Sequence, residues 1–241
     1  LKDRQRVLGE DHRDTLTSRN NLAGAYESAG DPARAIPLFK QTLKDQQRVL
    51  GEDHPDTLTS RNNLAGAYES AGDPARAIPL YEQTLKDRQR VLGEDHPDTL
   101  TSRNNLAYAY RSAGDLARAI PLYEQTLKDR QRVLGEDHRD TLTSRNNLAG
   151  AYESAGDLAR AIPLYEQTLK DRQRVLGEDH PDTLTSRNNL AGAYESAGDP
   201  ARAIPLYEQA HTGSVRVLGK DHPTTKTIRA NLATALHRRG R

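Results

Sequence analysis

The chain has 241 residues, of which 34% are hydrophobic and 29% charged, with a formal net charge of +1. It lacks Trp, Met and Cys and has a single Phe, Phe39, so disulfides and Cys-based zinc sites are excluded and a deep three-dimensional core is hard to build. The near-neutral balance gives no global pull towards nucleic acid or a membrane, and no apolar run nears the roughly 18 residues that a bilayer span needs.

Residues 1–8 predict the tail of a helix, entered partway through a repeating pattern. Because the chain opens at Leu1, it reads as an excised fragment of a longer protein. From Gly9 onwards the sequence repeats. Residues 51–92 read GEDHPDTLTSRNNLAGAYESAGDPARAIPLYEQTLKDRQRVL, and residues 9–50 differ from them at four positions. Further copies occupy 93–134, 135–176 and, as far as Gln209, 177–218, and a terminal half-unit or cap covers 219–241. Self-similarity at a fixed period of this length indicates a solenoid, so residues 1–241 form a single repeat array. A thin core between stacked helices suits the composition, since Ala and Leu pack closely at small volume.

Each unit predicts two helices. Helix A opens at Pro55, where a missing N–H costs nothing, with Asp53 or His54 as cap and Asp56 favouring the positive helix end. It runs to about Ala71 and stops at Gly72. Asp73 and Pro74 cap and open helix B, which ends at Leu92 before Gly93. Lys86, Arg88 and Arg90 complement its negative end. Pro79 falls past the first turn, so a mild kink is expected there, with a break into two helices as the alternative. Leu58, Leu64, Ala65, Tyr68 and Ala71 form the packed face of helix A. Thr59, Asn63, Gly66 and Ser70 run opposite, flanked by Asn62 and Glu69. Gly66 serves either close helix packing or an open groove.

Leu64-Ala65, Tyr68, Gly72, Ala77 and Tyr81 stand at the offsets of the tetratricopeptide signature, which the whole chain resembles. The 42-residue period, the HPDT entry and the NNLA string are similar to the kinesin-light-chain subtype. The pattern departs at Arg61, Thr84 and Gln89, where the usual signature has an aromatic, a small residue and a proline. The resemblance implies an all-α, right-handed superhelical solenoid of antiparallel helix pairs, whose concave side is lined by helix A and receives extended or helical peptides. In family members that hold extended peptides, an Asn immediately before Leu-Ala bonds the ligand main chain. That position is Asn21, Asn63, Asn105, Asn147 and Asn189 here, and Asn231 in the terminal half-unit. An amide offers a donor and an acceptor together, which suits sequence-tolerant pairing. The alternative is that Asn63 bonds a neighbouring helix. The terminal helix keeps Asn231 but has Ala230 where Asn62 would stand, which hints that the two asparagines differ in role. Arrays of this kind often follow an NTPase switch domain in bacterial signalling proteins, which would place any nucleotide chemistry outside this chain.

Arg61 and its copies (Arg19, Arg103, Arg145, Arg187, Arg229) point towards the packed face and need a partner, for which Glu82 and Asp87 are candidates. Glu52-Asp53-His54 suggests a metal. Each unit supplies only one His, however, and repeats stack roughly one helix diameter apart, so capping and turn chemistry is expected instead. No P-loop, nucleophile elbow or HExxH motif occurs, and the expectation is no enzyme, no cofactor and no metal. Tyr108 replaces Gly66 and Arg111 replaces Glu69 in the third unit, which makes them candidate peptide anchors or products of neutral drift. Gly213 and the AHTGSV stretch predict a weakened helix, and Lys226, in the Leu58 place, suggests a solubilising cap. The uncapped N-terminal end invites end-to-end association. From His211 to Arg241 there are seven Lys or Arg and one acid, Asp221. The expected function is therefore a protein-interaction scaffold that binds a peptide or partner domain in its groove, with no nucleic-acid or membrane partner. The alternative is a structural spacer or self-associating rod. With no signal peptide visible, a cytoplasmic setting is expected.

Overall fold

The computed structural model describes residues 1–239 (Arg239 by its backbone only). Residues 240 and 241 of the terminal half-unit and its basic stretch lie outside the described part. Among the described residues there are twelve helices and no strand. After α1 (Lys2–Leu8), the helices alternate in type. Those of type A are α2 (Arg13–Ser28), α4 (Pro55–Ser70), α6 (Pro97–Ser112), α8 (Arg139–Ser154), α10 (Pro181–Ser196) and α12 (Pro223–Arg239). Those of type B are α3 (Pro32–Leu50), α5 (Pro74–Leu92), α7 (Leu116–Leu134), α9 (Leu158–Leu176) and α11 (Pro200–Leu218). The chain divides into two compact units, Leu1–Leu122 and Tyr123–Arg241. In the first, the sequential pairs α2–α3, α3–α4, α4–α5 and α5–α6 pack together, and in the second α8–α9, α9–α10, α10–α11 and α11–α12 do the same.

Local chemistry explains the boundaries. The cap of helix A is His54, whose Nδ1 accepts the Asp56 N–H at 3.1 Å. Asp53 is turned elsewhere. At the far end Gly72 adopts φ +74°, a conformation that favours glycine. That lets the Gly72 N–H reach the Glu69 carbonyl at 2.8 Å and the Asp73 N–H reach the Tyr68 carbonyl at 2.9 Å, satisfying two orphan acceptors of the last turn. The Asp73 side chain then accepts the Arg76 N–H at 3.1 Å to start helix B. Pro79 removes one main-chain donor, yet α5 remains a single helix across it.

Leu58, Leu64, Ala65 and Tyr68 are buried as the helical phase requires. Ala71 is not, because the helix ends at Ser70 and Ala71 is its exposed C-cap. In α11 the AHTGSV stretch does not interrupt the helix, which runs unbroken to Leu218. Its Gly213 is a packing residue: a Cβ there would lie 2.5 Å from Leu184 Cδ2, so the missing side chain lets Leu184 fit against α11. On α12, Lys226 is exposed while Thr225, Ile228 and Ala235 supply the buried face.

Candidate functional site

The Glu-Asp-His string at the start of each unit has three separate jobs. Glu52 accepts from Arg61 Nη2 at 2.7 Å, Asp53 accepts from Arg90 Nη1 at 2.8 Å, and His54 caps α4. Arg61 is 5% exposed and its Nη1 reaches Asp87 at 2.5 Å, so Asp87 is the partner from helix B. The other candidate, Glu82, instead accepts from the Tyr110 hydroxyl of the following helix A. Arg19 repeats the arrangement with Asp45 at 2.5 Å and Glu10 at 2.6 Å, and Arg145 with Asp171 and Glu136, both at 2.6 Å. Arg103 meets Glu94 at 2.6 Å. Arg187 keeps only its glutamate, Glu178, because its aspartate is replaced by Gly213. Arg229 is exposed and has no ion-pair partner among the described residues, since Lys220 stands where the glutamate would be.

The asparagines form ladders between successive A helices. Within the first unit Asn63 Nδ2 donates to Asn20 Oδ1 at 3.4 Å and Asn105 Nδ2 to Asn62 Oδ1 at 3.2 Å. Within the second, Asn189 donates to Asn146 at 3.1 Å and Asn231 to Asn188 at 3.0 Å. Position 63 is the donor and position 62 the acceptor, which gives the two asparagines the different roles that Ala230 hinted at. With Ala230 in the acceptor place, the ladder ends at Asn231. Asn63, Asn105 and Asn231 each commit one N–H and keep the second N–H and the carbonyl oxygen, whereas Asn189 Oδ1 accepts from Asn188 Nδ2 at 3.4 Å. Asn63, Asn105, Asn147 and Asn189 are half-buried, and Asn21 is exposed.

Tyr108 is 48% exposed. It stands beside Glu27, Gly66, Glu69, Ser70 and Ser112 around a pocket that spans α2, α4 and α6. Tyr108 lines this pocket, whereas Arg111 is not among its lining residues. Ser70 donates to Glu27 and Ser112 to Glu69, both at 3.2 Å, and the Tyr81 hydroxyl donates to Glu69 at 3.3 Å. Burial pushes the carboxyl groups of Glu27 and Glu69 above the usual glutamate range, and the serine hydrogen bonds offset that only in part. A Cβ on Gly66 would sit 3.4 Å from both Glu27 Oε1 and the Tyr81 hydroxyl, an ordinary contact. Tight packing does not require this glycine. Its absent side chain leaves the pocket floor open.

Models of the tetratricopeptide repeat match residues 15–56, 57–98, 99–140 and 145–214. The chain belongs to the tetratricopeptide repeat family. No curated protein matches it in sequence. Among solved structures, it is similar to the nearly identical TPR-like repeats assigned to a kinesin light chain of Podosopora anserina. That match has 32% identity and a TM-score of 0.71, covering 85% of this chain and 97% of that one. BtubC (BKLC) from P. vanneervenii is 28% identical with a TM-score of 0.72, covering 87% and 83%. The tetratricopeptide repeat sensor of a signal transduction ATPase with numerous domains from Pyrococcus horikoshii shares the fold at 13% identity and a TM-score of 0.67. There the match covers 94% of this chain and 34% of that one. The tetratricopeptide repeats of this chain thus form an all-helical scaffold of the kinesin-light-chain-like type, consistent with protein–protein interaction.

Two recurring features of these tetratricopeptide units were not anticipated. Arg88 is 4% exposed, and its Nη1 donates to the Asp98 carbonyl at 3.1 Å and to Ser102 at 2.9 Å, bolting α5 to α6. Arg172 does the same to Asp182 and Ser186 at 3.0 and 2.8 Å. The Arg76 guanidinium also lies 4.6 Å from the Tyr68 ring centroid, a stacking that recurs at Arg160 over Tyr152 at 4.1 Å. The signal for both was available: arginines recurring at a fixed phase opposite recurring Ser and Tyr.

Proposed function

We propose that the face lined by helix A binds a peptide segment of a partner protein, with a basic side chain of that peptide anchored at Tyr108. The observation that carries this reading is the Tyr108 pocket, where one exposed aromatic ring meets two half-buried glutamates. A lysine or arginine there gains a cation–π contact and relieves the burial of Glu27 and Glu69. The uncommitted amide atoms of Asn63 and Asn105 are available to peptide units irrespective of side chain, which gives sequence-tolerant contact on either side of one selective anchor.

The test uses two blocked pentapeptides of alanine, one with a central lysine and one with a central glutamate, measured by calorimetry against the full chain and against Tyr108→Gly, which restores the residue of the other units. The lysine peptide is expected to bind more tightly than the glutamate peptide, and to weaken roughly threefold to thirtyfold in the variant. Equal affinity of the two peptides, or no change in Tyr108→Gly, removes the anchor from the account. Asn63→Ala and Asn105→Ala test the main-chain contribution separately, since both peptides would lose affinity together.

A further inference from the structure

The fifth unit breaks a pattern that the preceding units keep. In the second unit three donors converge on one buried carboxylate: Arg61 reaches Asp87 at 2.5 Å, Gln83 at 3.0 Å and Arg90 at 3.5 Å. In the fourth, Arg145, Gln167 and Arg174 reach Asp171 at 2.6, 2.9 and 3.5 Å. In the first, Arg19 and Gln41 reach Asp45 at 2.5 and 3.1 Å. In the fifth the acceptor is gone, because Gly213 holds its place, but Arg187, Gln209 and Arg216 all remain.

These three donors line a pocket of about 400 Å³ together with the acids Glu178, Asp179 and Glu208 and with Thr212 and Gly213. Arg187 is 6% exposed. Its Nη2 is taken by Glu178, whereas its Nε is buried with no hydrogen-bond partner. Among the described residues neither its Nη1 nor the Gln209 amide has a partner. Leu184 fills the space of the missing Cβ, but the pocket stays open beside it.

We infer that this pocket binds an external carboxylate, which takes the place that aspartate fills in the other units. The charge pattern supports one. Glu178 is neutralised by Arg187 and Asp179 by Arg216. The fourth unit holds the same set, Glu136 on Arg145 and Asp137 on Arg174, with Asp171 added. One more monoanion is therefore tolerated by this cluster. A planar carboxylate matches the guanidinium and amide donors, whereas a phosphate would bring a second charge against Glu178 and Asp179. The carboxylate can come from an aspartate or glutamate side chain or from a chain terminus of a partner. The pocket shares no residue with the one at Tyr108, so it stands independently of that reading.

The experiment follows the Arg187 Nε–H resonance in arginine-labelled full chain, titrated with sodium acetate and, at equal ionic strength, with sodium chloride. A saturable shift with acetate but not chloride is expected. It should be lost in Gly213→Asp, which fills the site from within as Leu184 Cδ2 gives way to the new Cβ, and weakened roughly tenfold in Gln209→Ala, an exposed position whose replacement leaves folding intact. N-acetyl-aspartyl amide and N-acetyl-alanyl-alanine then separate the side-chain source from the terminal one by their relative affinities. No saturable acetate shift, an equal response to chloride, an unchanged shift in both variants, or failure of both blocked probes overturns the inference.

Discussion

Replacing Asp87 by alanine should be among the most damaging single changes in the second repeat, even though the chain is rich in ion pairs. Asp87 is 7% exposed and accepts from Arg61 at 2.5 Å and Gln83 at 3.0 Å. Removing it strands a guanidinium that is itself 5% exposed, and breaking a buried pair in this way costs about 3–5 kcal/mol. Two effects reduce the loss. Arg61 still reaches Glu52, but that carboxylate is 63% exposed and such a pair returns at most about 1 kcal/mol. Alanine is also a better helix former by about 0.5 kcal/mol. The net expectation is about 2–3 kcal/mol. Asp53→Ala is the internal control, because the Asp53–Arg90 pair is 54% and 56% exposed and should be worth no more than about 0.5 kcal/mol. Urea unfolding gives the difference, and amide exchange in α4 and α5 shows whether the loss is local, which matters in a repeat fold with nearest-neighbour stability. Adding Arg61→Met to Asp87→Ala should recover at least half the loss, since no buried charge is then left alone. If Asp87→Ala costs no more than Asp53→Ala, burial is not what gives these pairs their weight.

Three further outcomes follow from the same geometry. Asn62→Ala removes the acceptor of Asn105 Nδ2 and should cost about 1 kcal/mol by urea unfolding, whereas Asn21→Ala, at an exposed position, should be close to neutral. Arg88→Met leaves the Asp98 carbonyl and Ser102 without their buried donor; a loss of about 1–2 kcal/mol is expected, with faster amide exchange at the start of α6. The third outcome concerns acid. Burial opposes ionisation of Asp87 and Asp171, but the hydrogen bonds from their glutamine and arginine partners outweigh it and hold both carboxyls below the usual aspartate range. Their ionised form is thus favoured by folding, so this stability is complete above about pH 4 and is lost as pH falls through the lowered folded values. A urea midpoint that declines below about pH 4 in the wild type, and declines less steeply in Asp87→Ala, would bear this out.

The fold was legible because every level of the sequence agreed. Gly72, the Asp73-Pro74 pair and the stripe of Leu58, Leu64, Ala65 and Tyr68 each recur at one period, and local capping, helical phase and repeat stacking all point to the same helix pair. Side-chain destinations were harder to read, for a definite reason. Helical phase tells which face a residue occupies but not how far a long side chain reaches, so Arg61 could be placed on the buried face while Glu82 and Asp87 remained equivalent partners. Arg88 was read as a helix-end charge, although its length carries the guanidinium across to the next helix A. The asparagines show the same limit from the other side. Their recurrence marked them as special, but a lateral ladder between repeats and contact with a ligand both need the same amide on the same face. Deviations from the repeat were more informative than the repeat itself. Tyr108 for glycine and Gly213 for aspartate each depart from a recurring residue, and in both cases a pocket lies beside the changed position. In a chain of near-identical units, stability resides in what is repeated. Selectivity resides in what is not, so Tyr108 and Gly213, the departures with a pocket beside them, are where a specific partner is to be sought.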